Sequence, residues 1–137
     1  MTRLQHTAVI ERPLRDTYRL AQQVERYPEF LPGYLESRII ERQGERLLLQ
    51  RKALVEGEIK EWKSWASFLD SQTIVFEHAE GPLKGMTVTW EFNALSPNST
   101  ELAITHLFET DHYKPAIDHL ANLVINAFKT ACECKLA

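Results

Sequence analysis

The stretch MTVTWEFNALSPNSTELAITHLF, residues 86–108, contains two runs in which apolar and polar residues alternate. In the first run every second residue from Val88 to Phe92 is apolar, and the second run repeats the pattern after an intervening Ser-Pro-Asn. A period of two is that of a β-strand with one buried face, and proline beside serine and asparagine is typical of a turn. The stretch therefore predicts an antiparallel hairpin with strands at 86–95 and 100–110.

The same period of two extends upstream through the middle of the chain. Turn signals rich in Gly, Asp and Ser interrupt it at short intervals from Tyr34 onward, which is the pattern of a β-meander. Together with a weaker alternating run near the N-terminus, seven strands are predicted, at 4–10, 34–42, 46–55, 58–69, 73–79, 86–95 and 100–110.

Helical spacing replaces the alternation in two places. After the first strand, Pro13 suits a first helical turn, and apolar residues follow at helical spacing until Pro28 ends that helix, with a short second helical piece after it. From Pro115 to the end of the chain, seven apolar residues between Ile117 and Ala131 fall on one helical stripe. Such a stripe needs a large apolar surface, which only the concave face of the meander offers.

These elements predict an α+β fold. A seven-stranded curved antiparallel sheet wraps around a long C-terminal helix, and two short helices follow strand 1. We expect strand 4–10 to pair beside strand 100–110 and the long helix to cover the concave face. One helix cannot fill a strongly curved sheet, so the remaining gap is either extra side-chain core or a ligand cavity.

Composition and charge exclude several classes of protein. The 137 residues suit one domain, which we expect to span 1–137, and 16 basic against 19 acidic side chains give a net charge of 16 − 19 = −3. A negative balance argues against DNA and against anionic membrane surfaces as partners. No apolar run approaches the roughly 20 residues of a membrane span, and the N-terminus lacks the apolar stretch of a signal peptide. With only two cysteines, Cys132 and Cys134, and no disulfide framework, the sequence predicts a cytoplasmic protein without stable membrane insertion.

Two motifs carry a resemblance to a known superfamily. The first is YPEFLPG at residues 27–33, and the second is EGPLKGM at residues 80–86, which leads into the WEF of residues 90–92. In this order, they resemble the START-like helix-grip (SRPBCC) superfamily over essentially the whole chain. The similarity is to its polyketide cyclase/dehydrase branch, and within it to the coenzyme-Q-binding and ribosome-association toxin-like subgroup.

The resemblance implies a cavity between the sheet and the long helix that holds a hydrophobic small molecule, such as an isoprenoid quinone, a lipid or a polyketide. We interpret the protein as a carrier or chaperone for such a ligand. Two alternatives stay open: a polyketide cyclase, aromatase or dehydrase acting in the same cavity, and a ribosome-associating protein of the toxin-like subgroup. A homodimer is a further option, and no cofactor is expected.

The inward rows of the strands and the helix stripe supply the predicted ligand-binding residues, in a cavity of a few hundred Å³. They are Trp62, Phe76, His78, Trp90, Phe92, His106, Phe108, Leu120, Val124 and Phe128. Because histidine titrates near neutral pH, His78 and His106 are candidates for acid–base catalysis, together with Tyr34. The alternative, which we favour, is that each is a buried neutral side chain with one satisfied hydrogen bond. The histidines show no spacing typical of a metal site, so no metal is predicted.

The strand at 58–69 has aromatic residues on both faces. We favour the face of Trp62 as the inward one, because Phe68 shares that face while Lys63, on the face of Trp65, belongs in water. For the aromatase/cyclases of the branch, the resemblance implies an arginine that reaches the cavity from this tryptophan-rich strand. Residues 61–68 contain no arginine, which weighs against the enzyme interpretation.

Overall fold

The computed structural model describes residues 1–109 and 111–135. In chain order the strands are β1 (Thr2–Ile10), β2 (Tyr34–Gln43), β3 (Arg46–Val55), β4 (Glu58–Leu69), β5 (Thr73–Glu80), β6 (Thr87–Ser96) and β7 (Ser99–Phe108). The helices are α1 (Leu14–Gln22), α2 (Tyr27–Phe30) and α3 (Lys114–Lys135), with one 3₁₀ turn at Val24–Arg26 between the first two. The predicted strand end at Thr110 and the last two residues of the predicted helix lie outside the described residues.

All seven strands form one antiparallel sheet in the order β1-β7-β6-β5-β4-β3-β2. The first strand pairs with the last, with Thr2 opposite Phe108 and Ile10 opposite Thr100, which confirms the predicted neighbourhood. Helix α3 lies on the concave face, where Phe128 packs within the apolar core at 5.2 Å from the Trp90 ring. The predicted helix-grip architecture is therefore confirmed. In the part of the chain that the structure describes, no helix is long and apolar enough to cross a membrane.

The segment between β1 and β2 differs from the prediction in one respect. The first helix ends at Gln22, well before Pro28, and Pro28 lies in the first turn of α2. The prediction that Pro28 ends a helix is thus wrong. Proline is tolerated in a first turn because its missing N–H would have no helical partner there. The buried Tyr27 phenol then donates to the Ala21 carbonyl at 2.6 Å, which ties α2 back to α1.

Polar contacts fix α3 against the N-terminal strand. His6 Nε2 lies 2.8 Å from an oxygen of Asp118 near the start of the helix. Near its end, Arg12 Nη2 donates to the Glu133 carbonyl at 3.0 Å. Since β1 is an edge of the sheet, these contacts hold the helix along one margin of the concave face and leave its other side over β3, β4 and β5.

Candidate functional site: a cavity between the sheet and the C-terminal helix

A cavity lies between the concave face of the sheet and α3. Strands β2 to β7 contribute to its wall, and α3 contributes Ala116, Ile117, Leu120, Ala121 and Val124. The space open to the centre of a water-sized sphere is about 110 Å³, less than the few hundred Å³ that the sequence led us to expect. The cavity is smaller because large side chains, including Arg51, Trp62 and Trp90, project into it from the sheet.

Most of the residues predicted for the site do line this cavity. The three candidates for acid–base chemistry, Tyr34, His78 and His106, all lie on its wall. Seven of the ten predicted ligand-binding residues line it: Trp62, Phe76, His78, Trp90, His106, Leu120 and Val124. Their shared location is an observation, while their role in binding stays a prediction.

The remaining three, Phe92, Phe108 and Phe128, lie away from the cavity lining. The Phe92 ring packs edge-on against Tyr18 of α1 at 5.6 Å and against Phe128 at 6.3 Å, in the closed core below α1. Phe108 lies at the C-terminal end of β7, where it lines a neighbouring pocket together with Leu83. Alternation along a strand predicts which face a side chain occupies, but it does not predict where along that face the cavity begins and ends.

The structure places the Trp62 face of β4 inward. Trp62 and Ser64 line the cavity, and the Trp62 ring stacks on His78 with 5.5 Å between centroids and 6° between planes. Trp65 lies on the outer face, where the Arg46 guanidinium covers its ring at 4.0 Å. This strand thus gives the cavity an aromatic wall and a hydroxyl, and the charge that it adds, on Lys60, is paired with Glu58 at 2.7 Å.

The positive charge in the cavity comes from Arg51 on β3, which the sequence analysis did not single out. Arg51 stands opposite Trp62 on one side and opposite Ser37 on the other, and only 3% of it is exposed. Its Nε donates to Ser37 Oγ at 3.2 Å. One signal could have found it: Arg51 occupies an inward position on β3, two residues from the fully buried Leu49.

Aromatic rings surround the Arg51 guanidinium. Its central carbon lies 4.6 Å from the Phe76 ring centroid, 4.8 Å from that of Tyr27 and 5.5 Å from that of Tyr34. These distances suit cation–π attraction. Among the described residues, no carboxylate forms an ion pair with Arg51, and its Nη2 has no hydrogen-bond partner in the protein.

Burial keeps the neighbouring titratable groups neutral. Desolvation, and then the charge of Arg51, lower the pKa of His78 to about 3. Desolvation, and then His6, lower the pKa of His106 to about 4. Burial raises the pKa of the Tyr27 phenol despite the opposing effect of Arg51. Near pH 7 the imidazoles of His78 and His106 are therefore neutral, beside the permanent positive charge of Arg51.

Several buried polar atoms of the wall have no hydrogen-bond partner within the protein. Besides Arg51 Nη2, they are Ser64 Oγ, His78 Nδ1 and His106 Nδ1. Ser64 and His78 are directly opposite each other on β4 and β5. Because buried polar groups are normally paired, atoms of this kind on a cavity wall are suited to orient a bound molecule. Within the described residues, no cluster of side chains could hold a metal ion.

Comparison with known proteins shows that the chain has relatives of two kinds. The model of a protein family described as polyketide cyclase / dehydrase and lipid transport matches residues 10–133. The ribosome association toxin RatA of Escherichia coli K12 is 27% identical over 109 residues, which are 80% of this chain and 69% of that protein. The granaticin polyketide synthase bifunctional cyclase/dehydratase of Streptomyces violaceoruber is 30% identical over 118 residues, which are 83% of this chain but 36% of that protein.

Solved structures share the fold over nearly the full length. The Zhui aromatase/cyclase from a Streptomyces species superposes with a TM-score of 0.90 at 17% identity, over 99% of this chain and 96% of that one. A START superfamily protein from Mycobacterium smegmatis superposes with a TM-score of 0.77 at 15% identity, over 97% and 95% of the two chains. At such identities the likeness establishes the fold alone. Together with the curated relatives, it confirms the resemblance drawn from the two sequence motifs.

Proposed function

The chain belongs to the polyketide cyclase / dehydrase and lipid transport family, and from this premise we propose that it binds a hydrophobic small molecule in the cavity, as a carrier or chaperone. The ligand classes that suit this proposal are isoprenoid quinones, lipids and polyketide-like molecules. We propose further that residues 1–137 act as one ligand-binding domain.

One observation supports this function above the others. Rings from different strands, among them Trp62, Phe76 and Trp90, converge with aliphatic residues of α3 on the same enclosed space. Burying about 100 Å² of ligand surface against such a wall contributes roughly 2.5 kcal/mol, whereas one neutral hydrogen bond contributes about 1 kcal/mol. Binding in this cavity is therefore dominated by apolar area, which is what a carrier needs.

A titration with two small aromatic probes, 2-naphthoate and 2-naphthamide, tests the binding function. Both are followed by quenching of the fluorescence of Trp62 and Trp90, which line the cavity. Ala121 is 3% exposed and also lines the cavity, so Ala121→Phe fills the space and should weaken binding of any bound probe at least tenfold. The matched control is Asn122→Phe, at the next, exposed position of α3, which should leave the affinity within twofold.

Native mass spectrometry of protein purified from its own host provides the second arm of this test. A co-purified lipid or quinone would support the carrier function and identify the ligand. If neither probe quenches the tryptophans and no adduct co-purifies, the proposed function is wrong.

A cyclase or dehydratase acting in the same cavity is the second candidate. It is favoured by His78, a neutral imidazole on the cavity wall whose Nδ1 has no partner within the protein and is available to hydrogen-bond a substrate. In an enzyme of this kind, His78→Gln should lower turnover of a linear poly-β-keto thioester about 10²–10⁴-fold. In a carrier, His78→Gln should change affinity less than tenfold, and Leu120→Ala, which removes apolar wall, should weaken binding more.

Four further proposals concern partners and location. The names of the RatA relatives motivate a test of ribosome association, by sedimentation of the purified protein with ribosomes on a sucrose gradient. A homodimer is tested by sedimentation equilibrium. A cytoplasmic location and the absence of DNA binding also stay predictions, which cell fractionation and a gel-shift assay would check.

A further inference from the structure

We propose that the ligand of the cavity carries a negatively charged oxygen, on a carboxylate or on an acidic enol or phenol, and that Arg51 binds this oxygen. This inference rests on the proposed function, because it assumes that the cavity binds a ligand. It narrows the ligand class from hydrophobic molecules in general to hydrophobic acids.

The first step of the argument is that Arg51 is a permanent, buried charge. A guanidinium is not deprotonated in proteins, so it cannot relieve the cost of burial by losing a proton. Only 3% of Arg51 is exposed. Buried charges are normally paired with a counter-charge, since an isolated ion in a low-dielectric interior is strongly destabilising.

The second step is that the protein itself supplies no counter-charge. Among the described residues, Arg51 donates to the neutral hydroxyl of Ser37, it also interacts with the neutral phenol of Tyr27, and it forms no ion pair. Tyr27 and His78, which face the guanidinium, are both held neutral near pH 7, and the positive potential of Arg51 contributes to lowering the pKa of His78. The aromatic faces around the guanidinium attract it without neutralising it.

The third step is the position of this charge on the cavity wall. Arg51 lines the cavity together with Ser64 and His78, whose Oγ and Nδ1 have no partner in the protein. A planar acidic group could accept hydrogen bonds from the guanidinium, which favours oxygen pairs of this shape. Lys60, also on the lining, is instead ion-paired with Glu58 at 2.7 Å. The cavity is therefore an apolar space with one positive charge that has no counter-charge. Such a space suits a ligand with an apolar body and one acidic group.

The test compares two probes of nearly the same shape that differ in charge, at pH 7.5 and moderate salt. 2-Naphthoate carries a carboxylate, while 2-naphthamide is neutral and still accepts hydrogen bonds. We expect the wild-type protein to bind the naphthoate at least tenfold tighter than the naphthamide. Because the net charge of the chain is −3, a general attraction for anions would not produce this preference.

Substitutions test whether the preference for the anionic probe depends on Arg51. Arg51→Met removes the charge at similar length and should bring the two affinities within about twofold of each other, while Arg51→Lys should retain part of the preference. Arg38→Met is the matched control, because it makes the same change on the neighbouring strand at a side chain that is 60% exposed. The control should leave the ratio of the two affinities unchanged.

The outcomes separate this inference from the function on which it rests. Equal affinities of the wild-type protein for the two probes would overturn the charge inference and leave the carrier function intact. A preference for 2-naphthoate that persists in Arg51→Met would also overturn the charge inference. If Arg51→Met fails to fold, the inference is tested by the ratio of the two affinities in the wild-type protein and in Arg51→Lys. Failure of both probes to bind would overturn the charge inference, and if no lipid or quinone co-purifies either, the carrier function is wrong as well.

Discussion

Replacing Arg51 with methionine should change the stability of the protein little, although the residue is almost fully buried. The substitution gives up the hydrogen bond to Ser37 from a charged donor, worth roughly 1.5–3 kcal/mol, and attraction to three ring faces, worth about 0.5–2 kcal/mol each. Against this stands a desolvation cost of several kcal/mol for the buried cation. Methionine recovers that cost and fills most of the same volume with a flexible apolar side chain.

The two sides of this balance are of similar size, so we expect the stability of Arg51→Met to lie within about 1 kcal/mol of the wild-type protein. For a chain of 137 residues this corresponds to a change in Tm of no more than roughly 3–5 °C. The same variant should lose its preference for the anionic probe, so selectivity changes while stability stays nearly the same. Urea denaturation followed by circular dichroism, together with a thermal melt, measures the change.

Two control variants make the result interpretable. Arg38→Met, at an exposed position, should lie within about 0.5 kcal/mol of the wild type. Leu49→Ala, two residues from Arg51 on the same buried row, should cost about 2–5 kcal/mol and shows the response of an ordinary core position. A fall in Tm of 5 °C or more for Arg51→Met would refute the reasoning. It would mean that the rings of Tyr27, Tyr34 and Phe76, together with Ser37, offset the full desolvation cost of the buried charge.

Two further predictions concern the cavity wall. Because burial lowers the pKa of His78 to about 3 and of His106 to about 4, against about 6.5 in the unfolded chain, their contribution to stability is complete above pH 6.5. This contribution is lost as the pH falls toward 4, by up to about 2.7 kcal/mol per pH unit for the two histidines together. Urea melts should therefore show a steeper fall of the unfolding free energy with decreasing pH for the wild type than for the double variant His78→Gln, His106→Gln. Gly81→Ala should cost about 2–3 kcal/mol, because Gly81 has φ +117° and an added Cβ would lie 2.6 Å from Trp62 Cβ. Gly44→Ala, at φ +60° with open space around it, should cost only about 1 kcal/mol, and equal losses at the two glycines would contradict the steric argument.

The positions of the strands can be predicted from the sequence because period-two alternation depends only on local residue order. Six of the seven strands begin within one residue of their predicted position, and the pairing of β1 with β7 is the one expected. The error at Pro28 has a physical reason: a proline both ends one helix and suits the first turn of the next, and local sequence does not separate the two uses.

The extent of the cavity could not be predicted in the same way. Phe92 and Phe128 lie on the correct faces, but their rings pack against each other, against Tyr18 of α1 and against Phe30 of α2, and not around the open space. Which part of the concave face the short helices cover decides this packing, and no periodicity in the sequence reports it. The cavity volume depends in turn on how far side chains such as Trp62 reach inward, which follows from rotamers and packing.

Arg51 shows what a closer use of the same pattern would have predicted. The inward positions of β3 alternate through Leu49, Arg51 and Ala53, so a charged residue stands on a row that is otherwise apolar. A buried row tolerates such a residue only at a cost in stability, and a cost of this kind persists where the charge serves binding or catalysis. The absence of arginine in residues 61–68 was therefore a weak argument against chemistry in the cavity, because the neighbouring strand delivers the cation directly opposite Trp62. Which side chains meet in the cavity follows from the pairing register, which places residue 51 against residue 62. It cannot be predicted from the composition of one strand alone.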